Sequence, residues 1–413
     1  MNEKMMIQYA RLVLLRGLAL KENEELVINA PVTAVNFVRI LTREAYRTFK
    51  SGTVHVNYND PYLSRMAYQY ANEDVLRDVP EHILYRLKEL TNRKAAFLTV
   101  STSFPDLMRG VDQKRVQTAQ KAMTPKTRPF QEKILRTLKW SVAPFPGYEW
   151  ARKVYPDMES SDALMQLHED LVAIMRLDQE KPIKAWTDHL NRLENKRQAL
   201  NAYAFKKLIY KGGGTDLEVE LPDAHRWVSG AQKKGNDVFV PNMPTEEIFT
   251  APKKHGVNGT LVVTKPLNVR GTTIEPFTLT FKDGKVDQME TSDRSALEKI
   301  LGVDEGAAFL GEVALVEETS PVASKGTLYY HTLLDENASC HFAFGNAYLK
   351  SVRNESKEKD AKKLAHAHGI NRSHVHIDFM VGSKKLEITG VKEDGEEVPI
   401  MREGTFTSEF TDL

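Results

Sequence analysis

Residues 25–101 alternate between two textures, and that alternation most limits what this chain can become. Residues 25–30, 53–58 and 95–101 are short apolar or alternating runs of strand type. Residues 36–49, 62–71 and 80–90 carry apolar side chains at helical spacing, as does 5–20 ahead of the first run. Strands separated by helix-length stretches pair in parallel through crossovers, so the pattern predicts βαβ units in a mainly parallel sheet. Residues 158–203 are helix-rich and highly charged. Beyond about 205 the texture changes to short strand-like runs at 217–221, 237–241, 260–264 and 277–281. Turns such as Lys282-Asp-Gly-Lys285 separate them, and Asp-Gly between alternating runs marks a hairpin. At 413 residues the chain exceeds one ordinary core. The expected architecture is therefore an α/β N-terminal domain over 1–195, then an α+β domain rich in antiparallel sheet over 196–413.

Composition removes several function classes. Lys+Arg 57 against Asp+Glu 56 leaves a net charge of +1, which offers no footprint for nucleic acid or for a membrane surface. A single cysteine, Cys340, excludes an internal disulfide and a Cys-rich zinc site. Its neighbour His341 does not make it a thiol nucleophile, and a buried inert cysteine is the expectation. Charged residues interrupt the first apolar run, so no export signal or spanning helix is expected, and the assignment is cytoplasmic. The turn after the first strand, Asn29-Ala-Pro-Val-Thr-Ala34, lacks any phosphate-binding glycine motif. Gly212-Gly-Gly-Thr215 has no lysine of a P-loop behind it and reads as a turn. His168-Glu169 begins like a zincin helix, but Val172 stands where the second histidine belongs, so His168 reads as a solvated helix residue.

The polar chemistry collects in the second half. His374-Val-His-Ile-Asp-Phe379 alternates as a strand does, which puts His374, His376 and Asp378 on one face. Two imidazoles and a carboxylate make one wall of a metal site, and a solvated strand face fits the same pattern. Glu312 lies in Leu310-Gly-Glu-Val-Ala-Leu-Val316, otherwise a buried strand. A carboxylate there needs an ion pair, an edge position or a metal. Glu246 and Glu247 follow Thr245, and a capped helix start explains two adjacent acids equally well. His341 closes the polar run Asp335-Glu-Asn-Ala-Ser-Cys340, and Tyr348 follows seven residues on. Glutamates, histidines and an aspartate from separate strands and loops form the ligand complement of a two-metal hydrolase. His366 and His368 lie in a charged stretch and read as surface residues.

Six blocks in order carry a likeness. They are Asn242-Met-Pro-Thr-Glu-Glu-Ile-Phe-Thr-Ala-Pro252, Thr264-Lys-Pro-Leu267, Asp304-Glu-Gly306, Leu310-Gly-Glu-Val-Ala-Leu-Val316, Thr332-Leu-Leu-Asp-Glu-Asn-Ala-Ser-Cys-His341, and Asn371-Arg-Ser373 with His376-Ile-Asp-Phe-Met380 and Gly382. Together they resemble the M29 family of metallo-aminopeptidases. The resemblance implies two divalent ions held by Glu246, Glu312, His341, His376 and Asp378, and the mixed nitrogen and oxygen donors suit zinc, cobalt, manganese or magnesium alike. It implies a tyrosine that assists the reaction at Tyr348, peptide substrates, and a homodimer whose sites face an enclosed space. Glu247 also matches a family position, without an assigned role. The charged stretch 351–368 departs from the likeness.

The implied reaction is release of N-terminal residues by a hydroxide bridging the two ions, with Tyr348 stabilising the oxyanion and Glu312 or Glu247 moving the proton. Hydrolysis of another amide or ester, and non-catalytic metal or peptide binding, are the alternatives.

Overall fold

The computed structural model describes residues 1–269, 272–354, 358 and 360–411. Residues 355–357 and 359 of the charged stretch lie outside the described residues. The chain forms two compact units: Met1–Thr187 with Ala231–Thr245, and Asp188–Gly230 with Glu246–Leu413. The division falls inside the helix Pro182–Tyr203, and the segment around strand Asp237–Phe239 belongs to the first unit.

The first unit is built on four parallel strands in the order Val54–Asn59, Leu26–Pro31, Ala96–Ser101, Trp140–Pro144. Leu26–Pro31 is buried at every position but Asn29, as a central parallel strand covered on both faces should be. The three expected strands are present. The fourth is short and closes on Pro144, which hid its period in the sequence. The long helix Gln113–Thr137 was equally hidden, because Pro125 and Pro129 stand inside it. His168 is half-buried rather than solvated: its ring meets Phe145 edge-on at 5.4 Å, and burial pushes its pKa down to about 4.

The two large sheets of the second unit, both antiparallel, pack on one core. The larger has eight strands, with Thr215–Glu220 and Lys207–Gly212 near its middle. Thr215–Glu220 alternates strictly, turning Leu217 and Val219 inward and Glu218 and Glu220 outward. Gly213 and Gly214, both at positive φ, make the turn between these strands. The Asp283-Gly284 turn is also a hairpin, with φ of 49° and 83°. A side chain at Gly284 would collide with the Lys254 carbonyl, so only glycine fits.

The smaller sheet has five strands in the order His376–Met380, His341–Gly345, Leu310–Leu315, Ile248–Thr250, Val228–Ser229. Its neighbours are antiparallel throughout. Ile248, Val313, Leu315, Phe342, Phe344 and Phe379 from this sheet share one apolar core with Leu208, Tyr210, Leu217 and Leu261 of the larger sheet. The other face of the small sheet carries polar side chains.

Candidate metal centre

Register decides which side chains meet on that polar face. Glu312 lies opposite Ala343, and Ala343 lies opposite Asp378, so the three form a row across three strands. Directly paired residues share a face, as do residues two apart along a strand. His341 precedes Ala343 by two, and His376 precedes Asp378 by two. All four polar groups therefore surround the small side chain of Ala343. Phe249 pairs with Ala314, which pairs with His341, so alternation brings Glu247 to the same face and turns Glu246 away. The register shift at Gly311 sets this alignment. A side chain at Gly311 would strike the Gly345 and Asn346 backbone, so the close approach of the two strands requires glycine.

The donor atoms form two triplets. Glu247, Glu312 and His341 make one, and Glu312, His376 and Asp378 the other, each with ligand atoms within 4.8 Å of one another. Glu312 belongs to both. His341 Nε2 lies 3.3 Å from Glu247 and 3.7 Å from Glu312, and His376 Nε2 lies 3.6 Å from Glu312 and 3.3 Å from Asp378. Each imidazole turns its Nδ1 to a backbone carbonyl, His341 to Ser339 at 3.1 Å and His376 to Asn346 at 2.7 Å. That contact fixes the tautomer and presents Nε2 to the carboxylates, the arrangement a metal-binding histidine needs.

The electrostatics fit a cation. Burial pushes the Glu312 carboxyl up, reinforced by Glu247 and opposed by its His341 contact. Burial works against charge on His376, but Asp378 and Glu312 lift its pKa to about 9. His341 moves the same way, against burial, through Glu247 and Glu312. Burial also opposes charge on Asp378, yet the two imidazoles hold its carboxyl below the ordinary range. Glu312 Oε2 is buried and makes no hydrogen bond among the described residues. Crowded carboxylates with a buried unbonded oxygen and two oriented imidazoles are expensive for a protein to keep without a positive charge. Mixed nitrogen and oxygen donors suit zinc, cobalt, manganese or magnesium.

The sequence-derived set does not come together whole. Glu312, His341, His376 and Asp378 converge, and Glu246 does not join them. Its Oε2 lies 3.5 Å from the buried His189 Nε2, and its backbone N–H donates to Asn337 Oδ1 at 2.6 Å. Thr245-Glu-Glu starts no helix; it leads into strand Ile248–Thr250. His374 is exposed and ahead of the strand, with its backbone N–H held by Asp304. Glu336 is the group that sequence reasoning missed. It is half-buried, and burial with the nearby Asp378, Glu247 and Glu312 charges pushes its carboxyl well up. Its place five residues before His341 in a polar run was the available signal. Tyr348 stands at the rim, 43% exposed, its ring 4.6 Å from that of His376. Burial of the hydroxyl and the Glu312 and Asp378 charges push its pKa upward, so it stays a hydrogen-bond donor. Cys340 is buried, and burial pushes its thiol up to about 11.

Other residues of the shared motif blocks are scaffold. Buried Asn371 donates to the Gly306 and Gly345 carbonyls at 2.7 and 2.6 Å, and Asp304 accepts from Ser373 and from the backbone of His374 and Ala307. They tie the loop entering strand His376–Met380 to the end of strand His341–Gly345 and to the segment before Leu310–Leu315.

Comparison with known proteins gives the family. The family model described as thermophilic metalloprotease (M29) matches residues 2–406. Aminopeptidase 2 of Geobacillus stearothermophilus is 40% identical over 413 residues, covering 99% of each chain. Aminopeptidase T of Thermus thermophilus is 38% identical over 398 residues, covering 96% of each. The solved structure of wild-type AmpT from Thermus thermophilus superposes with a TM-score of 0.91 at 35% identity, covering 98% of this chain and 99% of that one. With this likeness running from end to end, the chain belongs to the M29 metallopeptidase family and is a metal-dependent peptide hydrolase.

Proposed function

We propose that this chain is an aminopeptidase that binds two divalent ions on the polar face of its five-stranded sheet. The observation that carries the reading is the pair of three-donor sets sharing Glu312. In this reading Glu247, Glu312 and His341 hold one ion, and Glu312, His376 and Asp378 the other. Glu247 thus takes the place that motif matching gave to Glu246. When bound, such a pair of ions supplies Lewis acidity and a water acidic enough to attack at neutral pH as hydroxide.

The chain's own residues do the remainder. The backbone carbonyls of Ser339 and Asn346 keep the two imidazoles aimed. Tyr348 Oη donates a hydrogen bond to the oxygen that gains charge as the peptide carbonyl is attacked, a contribution of about 3–4 kcal/mol for one such donor. Glu336, beside Glu247, Glu312 and Asp378, joins Glu312 and Glu247 as a carboxylate that could carry the proton to the departing amine. Names of the similar proteins support action at the peptide N-terminus. Homodimerisation and a cytoplasmic place complete the reading. The family likeness supports the first. A single buried cysteine, and the lack of any membrane-crossing helix among the described residues, are compatible with the second.

Hydrolysis of leucine p-nitroanilide tests the proposal, measured before chelation, after chelation, and after adding back single metals. Loss on chelation and recovery with zinc, cobalt, manganese or magnesium supports it. Equal rates on N-acetylated and free peptides would sink the aminopeptidase assignment and leave a broader amide hydrolase.

A further inference from the structure

Lys350 lies two residues beyond Tyr348, in the turn Leu349–Ser351. Its Nζ stands 4.7 Å from the centre of the Phe249 ring and 5.4 Å from that of Tyr348. Phe249 shares the polar face with Glu247, and the Tyr348 ring rests on that of His376. Among the described residues, no hydrogen bond or ion pair engages the ammonium. An exposed lysine resting on a ring face gains no more than about 1 kcal/mol from the contact. This one is a free positive charge held at the rim of an acidic site. The protein around the ammonium disfavours its charge, while Glu247 and Glu312 favour it, which shows it within electrostatic reach of the cluster.

We propose that Lys350 is the receptor for a carboxylate of the substrate, carried by the C-terminus of a short peptide or by an acidic second residue. Four acidic groups, Glu247, Glu312, Glu336 and Asp378, face the place where the peptide must lie. With Glu247, Glu312 and Asp378 committed to the ions, a carboxylate of the substrate needs a partner of its own, and Lys350 is the cation placed to supply it. The reach is suitable. Two ring contacts separate Lys350 from His376, and two to three extended residues span roughly 7–11 Å. Lys350 then sets a preference for short or acidic peptides. The inference rests on the aminopeptidase reading of this site.

The test compares three substrates in the metal-loaded enzyme: leucylglycine, leucylglycinamide, and leucyl-aspartate with its C-terminus amidated. We expect KM for leucylglycine about tenfold below that for leucylglycinamide, in line with one charge-assisted contact. A low KM for the aspartate amide shows that a side-chain carboxylate is accepted; a high one assigns the receptor to the C-terminus. In Lys350→Met the acid-to-amide ratio should collapse to about one, and Lys350→Arg should preserve it. A fall in kcat shared by all three substrates, with the KM ratio intact, would mean that Lys350 only positions Tyr348, and would overturn the proposal. Equal KM values in the wild type overturn it without any variant, so a misfolded Met variant does not shield it. Absence of cleavage on every free-amino substrate defeats the aminopeptidase reading, and this inference with it.

Discussion

Two adjacent glutamates end in different surroundings because strand alternation sends neighbours to opposite faces. Glu247 joins Glu312 and His341, while Glu246 lies against His189. The two acids should therefore separate experimentally. Glu247→Gln is expected to lower bound metal from two ions towards one and cut kcat/KM by roughly a hundredfold or more, ligand loss exceeding the 10–100-fold typical of outer partners. Glu246→Gln should keep both ions and register mainly in stability. Metal analysis of the two dialysed variants reads the difference; metal loss in the Glu246 variant alone would return the ligand role to that residue. Tyr348 is exposed enough to be replaced without disturbing the core. Tyr348→Phe should retain metal and lose kcat by about 10²–10³, the cost of one oxyanion donor. Unchanged turnover would remove its role.

At the scale of elements, the small sheet works because its loops are pinned. Buried Asn371 satisfies two buried carbonyls, those of Gly306 and Gly345. Asn371→Ala leaves both without that donor and should cost about 1–3 kcal/mol per group, read as a lower urea midpoint. In the first unit, the helices Glu3–Leu12 and Val35–Arg47 are tied by Arg11 to Glu44 at 2.7 Å. Burial raises the Glu44 carboxyl, but the Arg11 and Thr48 hydrogen bonds outweigh it and leave its pKa lowered. A carboxylate with a lowered folded pKa stabilises the fold above its unfolded value, about 4.3, and loses that contribution as pH falls through the folded one. Glu44→Gln should therefore destabilise near neutrality and flatten the acid side of a stability-against-pH curve. An unchanged acid slope would show that Glu44 contributes nothing to it.

For the whole molecule, metal and fold are linked. Ions that bind the folded face and not the open chain add stability as RT ln(1 + [L]/Kd), about 2.7 kcal/mol at a hundredfold excess over Kd. Chelation should lower the Tm of the second unit and add-back should restore it; a Tm indifferent to chelator would argue against a resident metal. Much of the fold was legible in sequence, because periodicity depends on which faces meet water, and water meets every segment in the same way. The parallel strands at Leu26–Pro31, Val54–Asn59 and Ala96–Ser101, the Asp283-Gly284 hairpin and the all-buried strand around Glu312 were legible on those grounds. Strand Trp140–Pro144 and helix Gln113–Thr137 were not, since prolines blurred their signals. At the site, the sequence by itself supplied the donor types: glutamates, histidines and an aspartate in or beside short strands of the second half. Only the tertiary structure decided which of them meet. Register across four strands, set by the close approach at Gly311, put Glu247 on the chemical face and turned Glu246 away. It brought Glu336 and Lys350, which flank strand His341–Gly345, to a site that Glu247 and Asp378 reach from strands far away in the chain, because pairing between distant strands is a property of no single segment.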